Sequence, residues 1–365
     1  MKICHLTSAH PRYDTRIFVK ECISLSSIYD VCLIVADGKG SEVKNNVNIY
    51  DVGKPTSRIK RMLETTQKVF KKAIEIDAQL YHFHDPELIP IGIKLLKKGK
   101  KVIFDIHEDV PLQLLNKPYL PLFVGKVLSF LYKKYEKKIG KKLSAVVCAE
   151  PLVSKRLVKI NNNTENVYNF PKLEEFADIK DDWHQRKPEV CYIGSISTIR
   201  GIKEIVQMTI KANVKLNLAG TFVSKKLQKE ISEMKCWKNV QYYGYVGRKE
   251  IVDILSKVKI GLVTLHPTPK YLEAYPVKMF EYMAAGVPIV ASNFELYKQI
   301  INDAQCGLCV NPLAPFEIAK AVNELLADDN KLKQMSINGK RAVAQKYNWK
   351  IEEQKLLNLY KKILV

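Results

Sequence analysis

Several things are missing from this chain of 365 residues. No apolar run approaches the roughly 20 residues that a membrane-spanning helix needs. The start, Met1 to Cys4, leads straight into a strand pattern and lacks the layout of a secretory signal. The expectation is a protein that stays in the cytosol. The 8 cysteines build no framework. They are scattered, and most lie in apolar runs, where a thiol packs as a small core residue. Cys306 and Cys309 form a CxxC with no second pair nearby, which favours a structural reading over a metal site. No H-E-x-x-H spacing and no D-x-D occur. There is no short-period repeat and no low-complexity tract.

Acids are also scarce. Lys and Arg number 59 against 38 Asp and Glu, a net charge of +21. Such a chain attracts nucleic acid, anionic membrane or phosphorylated substrates. The aromatic-and-basic interleaving of single-strand binders is absent, and no nucleic-acid module is recognisable. A nucleic-acid partner is therefore not expected. The basic segment 126–142 holds Lys126, Lys133, Lys134, Lys137, Lys138, Lys141 and Lys142 against the single acid Glu136. Leu122, Phe123, Val127, Phe130 and Leu131 accompany them. An apolar body with a lysine fringe suits a helix lying on an anionic bilayer. It also suits an ordinary surface helix packed on a sheet. The total charge tips the balance slightly towards the membrane.

What is present is alternation. Short apolar strands and amphipathic helices follow one another in two series, which implies parallel sheets and an α/β class. Lys2–Ser8, Val31–Ala36, Gln79–His84, Lys101–Asp105 and Ala145–Ala149 read as strands of the first series. Glu189–Ile193, Lys215–Ala219, Val240–Tyr243, Ile260–Leu265 and Pro288–Ala291 read as strands of the second. Pro171 and the polar run to Lys187 read as a linker between them. The last helix, Trp349–Leu364, puts Leu356, Leu357, Tyr360 and Ile363 on one stripe. Two doubly wound domains bind ligands at the carboxyl ends of their strands. The expected active site is the cleft between them.

Three elements could carry chemistry. The first is E-A-Y-P-V-K-M-F-E-Y-M-A-A-G, Glu273 to Gly286. A helix starts near Pro276 and Val277, and its free N–H groups and dipole favour an anion such as a diphosphate. Glu281, about one turn inside, can accept two hydrogen bonds from a vicinal diol. Glu273, on the loop, can reach hydroxyls attached to the diphosphate. The second is G-S-I-S-T-I-R-G, Gly194 to Gly201. Its glycine lets the backbone approach phosphate, and Arg200 offers a forked positive partner. The third is the pair of strand ends Y-H-F-H-D-P-E and F-D-I-H-E-D. They place His84 with Asp85 and His107 with Glu108 side by side.

These elements, in this order, resemble the retaining GT-B glycosyltransferases of glycosyltransferase family four. Glu273 and Glu281 match its E-x7-E pair, and Y-P-V-K-M-F-E-Y-M-A-A-G-V-P-I-V-A-S looks like its signature. Cys306 to Pro312 looks like the turn that follows. The resemblance implies two Rossmann-like doubly wound domains facing each other across a cleft. Residues 1–170 would be the acceptor domain, 171–187 the linker and 188–348 the donor domain. Residues 349–365 would form a helix crossing back to the first domain. It gives His84 and Glu273 catalytic contacts with the sugar and Glu281 the ribose. Gly194, Ser195, Arg200, Val277 and Lys278 would complete the donor site. Arg200 stands where the family has a diphosphate-binding lysine. Ser195 stands where it has arginine, so Lys278 either replaces that charge or stands solvated. The first loop lacks the family's Gly-Gly, and Arg12 and Arg16 would instead grip an acceptor phosphate. Asp85, His107 and Glu108 would lie on the same acceptor side.

The implied activity moves a sugar from a nucleotide-sugar, with a uridine carrier favoured, and retains configuration. Retaining hydrolases use two carboxylates about 5–5.5 Å apart. No such pair is evident, so front-face attack is expected, with no cofactor and no metal. The expected acceptor is a polyprenyl-diphosphate-linked glycan in surface polysaccharide assembly. The enzyme would then sit peripherally on the inner face of an anionic membrane. Rival readings are a nucleotide-sugar epimerase on the same architecture, a basic binding protein without catalysis, and an inactive scaffold.

Overall fold

A computed structural model describes residues 1–115, 120–179 and 182–364. The chain divides into two compact units. One is built from Met1–Asn169 and the C-terminal stretch from Trp349, the other from Phe170–Asn348. The first holds β1 (Lys2–Leu6), β2 (Asp30–Val35), β3 (Glu42–Lys44), β4 (Val47–Asp51), β5 (Leu80–Phe83), β6 (Lys101–Ile106), β7 (Ala145–Cys148) and β8 (Thr164–Asn166). Their order is β3-β4-β2-β1-β5-β6-β7-β8. Only the short β3 runs antiparallel, against β4.

The two-residue period of a strand sorts these residues onto two faces. Cys4, Leu6, Cys32 and Ile34 pack with Val69, Ala73 and Leu95. Ile3, Val31 and Leu33 pack on the opposite face with Trp349, Leu356 and Tyr360. His5 shares the Ile3 face, and β1–β5 register puts it beside His82. Helix Trp349–Leu364 therefore belongs to the first unit. Its buried stripe is Trp349, Leu356, Leu359, Tyr360 and Ile363. Each such side chain contributes about 1.5–3 kcal/mol when fully buried. Leu357, expected on that stripe, is only partly buried, and Leu359 takes its place.

The second unit holds β9 (Lys187–Ile193), β10 (Leu216–Ala219), β11 (Val240–Gly244), β12 (Val258–Val263), β13 (Ile289–Ser292) and β14 (Gly307–Val310). All pairings are parallel, in the order β11-β10-β9-β12-β13-β14. That is the strand order of a dinucleotide-binding sheet, with winding reversed between β9 and β12. In the first sheet it reverses between β1 and β5. The segment read as a linker is not bare chain. It carries 3-10 turns at Leu173–Phe176 and Trp183–Gln185, with Phe176 and Trp183 buried. Polar composition hid these two aromatic anchors, and residues 180 and 181 lie outside the described ones.

Candidate donor site and histidine cluster

In the second unit the reversal point is where β9 ends, at Gly194. Its φ is +126°, and neighbouring Gly220 has φ +140°. A Cβ on Gly220 would stand 1.9 Å from the Gly194 carbonyl oxygen. A Cβ on Gly194 would stand 3.4 Å from Lys278 Nζ and 3.7 Å from an Arg200 nitrogen. Both positions need glycine, because two backbones and two cations converge there.

The cations come from different elements. Arg200 closes the 3-10 turn Thr198–Arg200, and Lys278 lies in the first turn of helix Val277–Ala284. Arg200 makes long bonds, 3.3 Å from Nε to the Tyr271 hydroxyl and 3.4 Å to the Ser195 carbonyl. Lys278 Nζ lies over the Tyr192 ring, 3.4 Å from its centroid. The lysine is half-buried as a residue, yet its Nζ is shut off from solvent. That atom has no hydrogen-bond partner among the described residues. Burial, and after it the charge of Arg200, pushes its pKa well below the usual lysine range. The solvated alternative for Lys278 is thereby overturned. The helix itself starts after Pro276 with no capping side chain and no acid in its first turn. Its first N–H groups point to the same end as the two cations.

The two acids differ. Glu281 Oε1 accepts a 2.7 Å hydrogen bond from Arg248, which also donates through Nε to Glu175 at 2.8 Å. Glu273 ends the short helix Pro269–Glu273 and is exposed. Ser195 is exposed, and its carbonyl accepts from the Tyr192 hydroxyl at 2.9 Å. The structure thus brings Gly194, Ser195, Arg200, Val277 and Lys278 to one strand end. Sequence reasoning missed Tyr192 and Arg248. Tyr192, two residues before Gly194 on a strand, was open to detection; Arg248 carries no local signal.

In the first unit the polar residues at the reversal point are buried and close on one another. Asp105 accepts from Arg16 Nε and a terminal nitrogen, both at 2.8 Å, while the other terminal nitrogen donates to the Val167 carbonyl at 2.7 Å. Arg16 Nε also lies 3.1 Å from Glu21 Oε1. Its hydrogen is directed to Asp105, so neither Glu21 oxygen receives a hydrogen bond among the described residues. Burial and the charge of Asp105 raise the Glu21 pKa well above the carboxylate range. Burial alone would raise Asp105 too, but Arg16 and then His107 hold it well below that range.

Several acceptor-side expectations fail here. Arg16 is spent on Asp105, Glu21 and a carbonyl. Arg12 is spent on Asp37 at 2.7 and 2.8 Å, on Glu42 at 2.5 Å and on the Gly40 carbonyl at 2.8 Å. Neither guanidinium is presented to a phosphate. Asp85 organises the first loop instead, accepting from Thr7 Oγ1 at 2.8 Å and from the Ser8 amide at 2.6 Å. Glu108 is exposed and bonded to Gln113. His84, the expected sugar contact, is buried. Its Nε2 is 2.9 Å from His5 Nδ1, and its Nδ1 is 3.1 Å from His107 Nε2. Burial first, against the pull of Asp105, lowers its pKa to about 4. His107 is the partly exposed ring of the pair, held by Asp105 at 3.0 Å. Beyond His5 the network ends on Tyr360, whose hydroxyl is 3.1 Å from His5 and 2.7 Å from His82. By spacing, His5, Glu21, His82 and His84 could surround an ion, as could His84, Asp105 and His107. Arg16 already supplies positive charge between the two acids.

Known proteins resemble this chain in sequence and fold. Anabaena Alr3699/HepE, solved with UDP and glucose, superposes with a TM-score of 0.70 at 15% identity over 99% of this chain and 100% of that one. The uncharacterized glycosyltransferase MJ1607 of Methanocaldococcus jannaschii is 22% identical over 240 residues, 61% of this chain and 58% of that protein. The N,N'-diacetylbacillosaminyl-diphospho-undecaprenol alpha-1,3-N-acetylgalactosaminyltransferase of Campylobacter jejuni is 26% identical over 180 residues. That match spans 49% of this chain and 46% of the relative. The chain thus spans about half the length of these two relatives. The fold is GT-B, with two α/β units built on parallel sheets. Residues 174–342, which lie within the second unit, match the family model described as Glycosyl transferases group 1.

Proposed function

We propose that the chain is a retaining glycosyltransferase that takes a sugar from a nucleotide-sugar, preferentially a UDP-sugar. The observation that carries this reading is Lys278. A buried ammonium without a hydrogen-bond partner is costly to the fold. It sits with Arg200 and an uncapped helix start at a strand end that only glycine permits. This is the constellation a diphosphate satisfies. Breaking the sugar–phosphate bond builds negative charge on that diphosphate, and preorganised cations stabilise it. Glu281, held by Arg248, offers its second oxygen to a ribose diol. Glu273, on its exposed loop end, is assigned the sugar hydroxyls. On the acceptor side we assign to His107 the sugar contact first given to His84. The leaving phosphate would help deprotonate an acceptor hydroxyl by front-face attack.

The acceptor class is inferred to be a polyprenyl-diphosphate-linked glycan, the type of molecule named for the Campylobacter relative. On this reading the enzyme works at the inner face of a membrane. The donor half is tested by thermal stabilisation with a panel of nucleotide sugars. A ligand at about 100 times its dissociation constant adds about 2.7 kcal/mol. UDP-sugars should raise the melting temperature, and Glu281→Ala should weaken that effect while Glu273→Ala lowers turnover more than binding. If no nucleotide sugar stabilises the chain, the reading is wrong.

A further inference from the structure

Helix Leu122–Gly140 is built inside out for a soluble protein. Its buried residues are Gly125, Ser129, Glu136, Ile139 and Gly140, so mostly small or polar groups face the unit. Gly125 packs against the Leu114–Leu115 backbone, where a Cβ would stand 2.8 Å from the Leu114 carbonyl oxygen. Arg156 anchors the other end, 2.8 Å from Glu136 and 2.7 Å from Asp109. The helix is therefore fixed by its small stripe, and its large apolar side chains point away. Phe123 is 76% exposed, Phe130 55% and Leu131 54%. An ordinary amphipathic helix shows the opposite distribution.

The outward face is also polarised along its length. At about 100° per residue, Phe123, Val127, Phe130 and Leu131 cluster opposite the buried stripe over the first half. In the second half the same outward sector is taken by Lys134, Lys137 and Lys138. Lys134 Nζ lies 4.5 Å from the Phe130 ring centroid, at the junction of the two halves. A second segment repeats the chemistry. Ile59 is 70% exposed and Leu63 66%, interleaved with Arg58, Lys60 and Arg61. Arg61 Nε pairs at 2.8 Å with Glu87, just beyond the carboxyl end of β5. Helix Leu122–Gly140 starts from the same edge, because it returns the chain from the carboxyl end of β6 to the start of parallel β7. His107 lies on that edge too.

The geometry points to a docking surface for an anionic lipid bilayer, formed by the carboxyl edge of the first sheet. The apolar first half of helix Leu122–Gly140 enters the headgroup boundary, and its basic second half rests on the lipid charges. Charge decides the occupant: bare aromatic and aliphatic side chains rimmed by lysines suit anionic lipid. A second copy would set the same lysines against each other. No helix of the described residues is long and apolar enough to cross a membrane. The inference deepens the acceptor half of the proposed function and is independent of the donor chemistry.

The test is co-sedimentation of the full chain with vesicles of phosphatidylcholine, with and without phosphatidylglycerol. The wild type should bind the anionic vesicles and release them at high salt. F123D/F130D should lower the partition more than about tenfold. K134E/K138E, at exposed positions of the outward sector, should do the same for anionic vesicles only. Stabilisation by a nucleotide sugar should be unchanged in both variants. Binding that ignores lipid charge, or survives both variants, overturns the proposal. So does a wild-type dimer in analytical ultracentrifugation that F123D/F130D disperses without vesicle binding having occurred. Vesicle binding without any response to nucleotide sugars supports the surface and removes only the transferase reading.

Discussion

The two strand-reversal points of this molecule treat buried charge in opposite ways. In the first unit, Arg16 answers Asp105, burial keeps the neighbouring Glu21 towards its neutral form, and five aromatic rings from His107 to Tyr360 are linked by hydrogen bonds. In the second, Lys278 is buried over a tyrosine ring beside a like charge, with no hydrogen bond of its own among the described residues. The first arrangement stabilises the fold. The second is unfavourable until something anionic arrives. Charge left unsatisfied by the chain therefore marks the ligand site more reliably than the number of polar residues does.

Breaking one member of the closed network should cost stability rather than ligand binding. Arg16→Met strands Asp105, and removing one partner of a buried ion pair costs about 3–5 kcal/mol. Urea unfolding should show that loss, with nucleotide-sugar affinity kept in the folded fraction. A loss below about 1 kcal/mol would mean that Asp105 is solvated and the network is not closed. Lys278→Met should act in reverse. Removing an unsatisfied buried charge should raise stability by about 1 kcal/mol. Donor binding should fall more than about 100-fold, since truncating a buried charged contact costs about 2–5 kcal/mol. A variant that loses stability and keeps donor binding would show that the lysine serves the fold.

This contrast was only half legible in the sequence. Alternating apolar strands and amphipathic helices announced both sheets. Local signals, Gly194 after a strand and Pro276 before a helix, announced the donor end. Arg16 was misread because its partners are distant: Asp105 is 89 positions away and Val167 151. Nothing within one turn of Arg16 shows that all three of its guanidinium nitrogens are already bonded. His84 was misread for a related reason. A histidine at a strand end looks presented, and only the packing of His5 and His107 shows that it is covered. The lysine-rich helix was legible as composition, but which face it buries depends on Gly125 and Ser129, small residues that a hydrophobic pattern ignores.

Acidification offers the gentlest test of the closed network. Burial lowers the pKa values of His5 and His82 well below the histidine range and that of His84 to about 4. An unfolded histidine takes up its proton near pH ~6.5. Between these values the unfolded chain binds more protons than the folded one. The contribution is therefore fully present above pH ~6.5 and is lost as pH falls towards about 4. For His84 alone the shift to about 4 corresponds to about 3 kcal/mol at most. His10, whose pKa is raised, works the other way and is too exposed to offset this. Lys278, whose pKa burial also pushes down, acts in the same sense as the histidines, whereas Glu21, whose pKa burial raises, acts in the opposite one. The histidine-dependent part of the urea midpoint should accordingly fall between pH ~7 and ~5, and His84→Gln should remove part of that fall relative to the wild type while lowering stability at neutral pH. If the variant follows the wild-type pH profile, the histidines do not store the stability assigned to them, and the two reversal points differ less than their geometry implies.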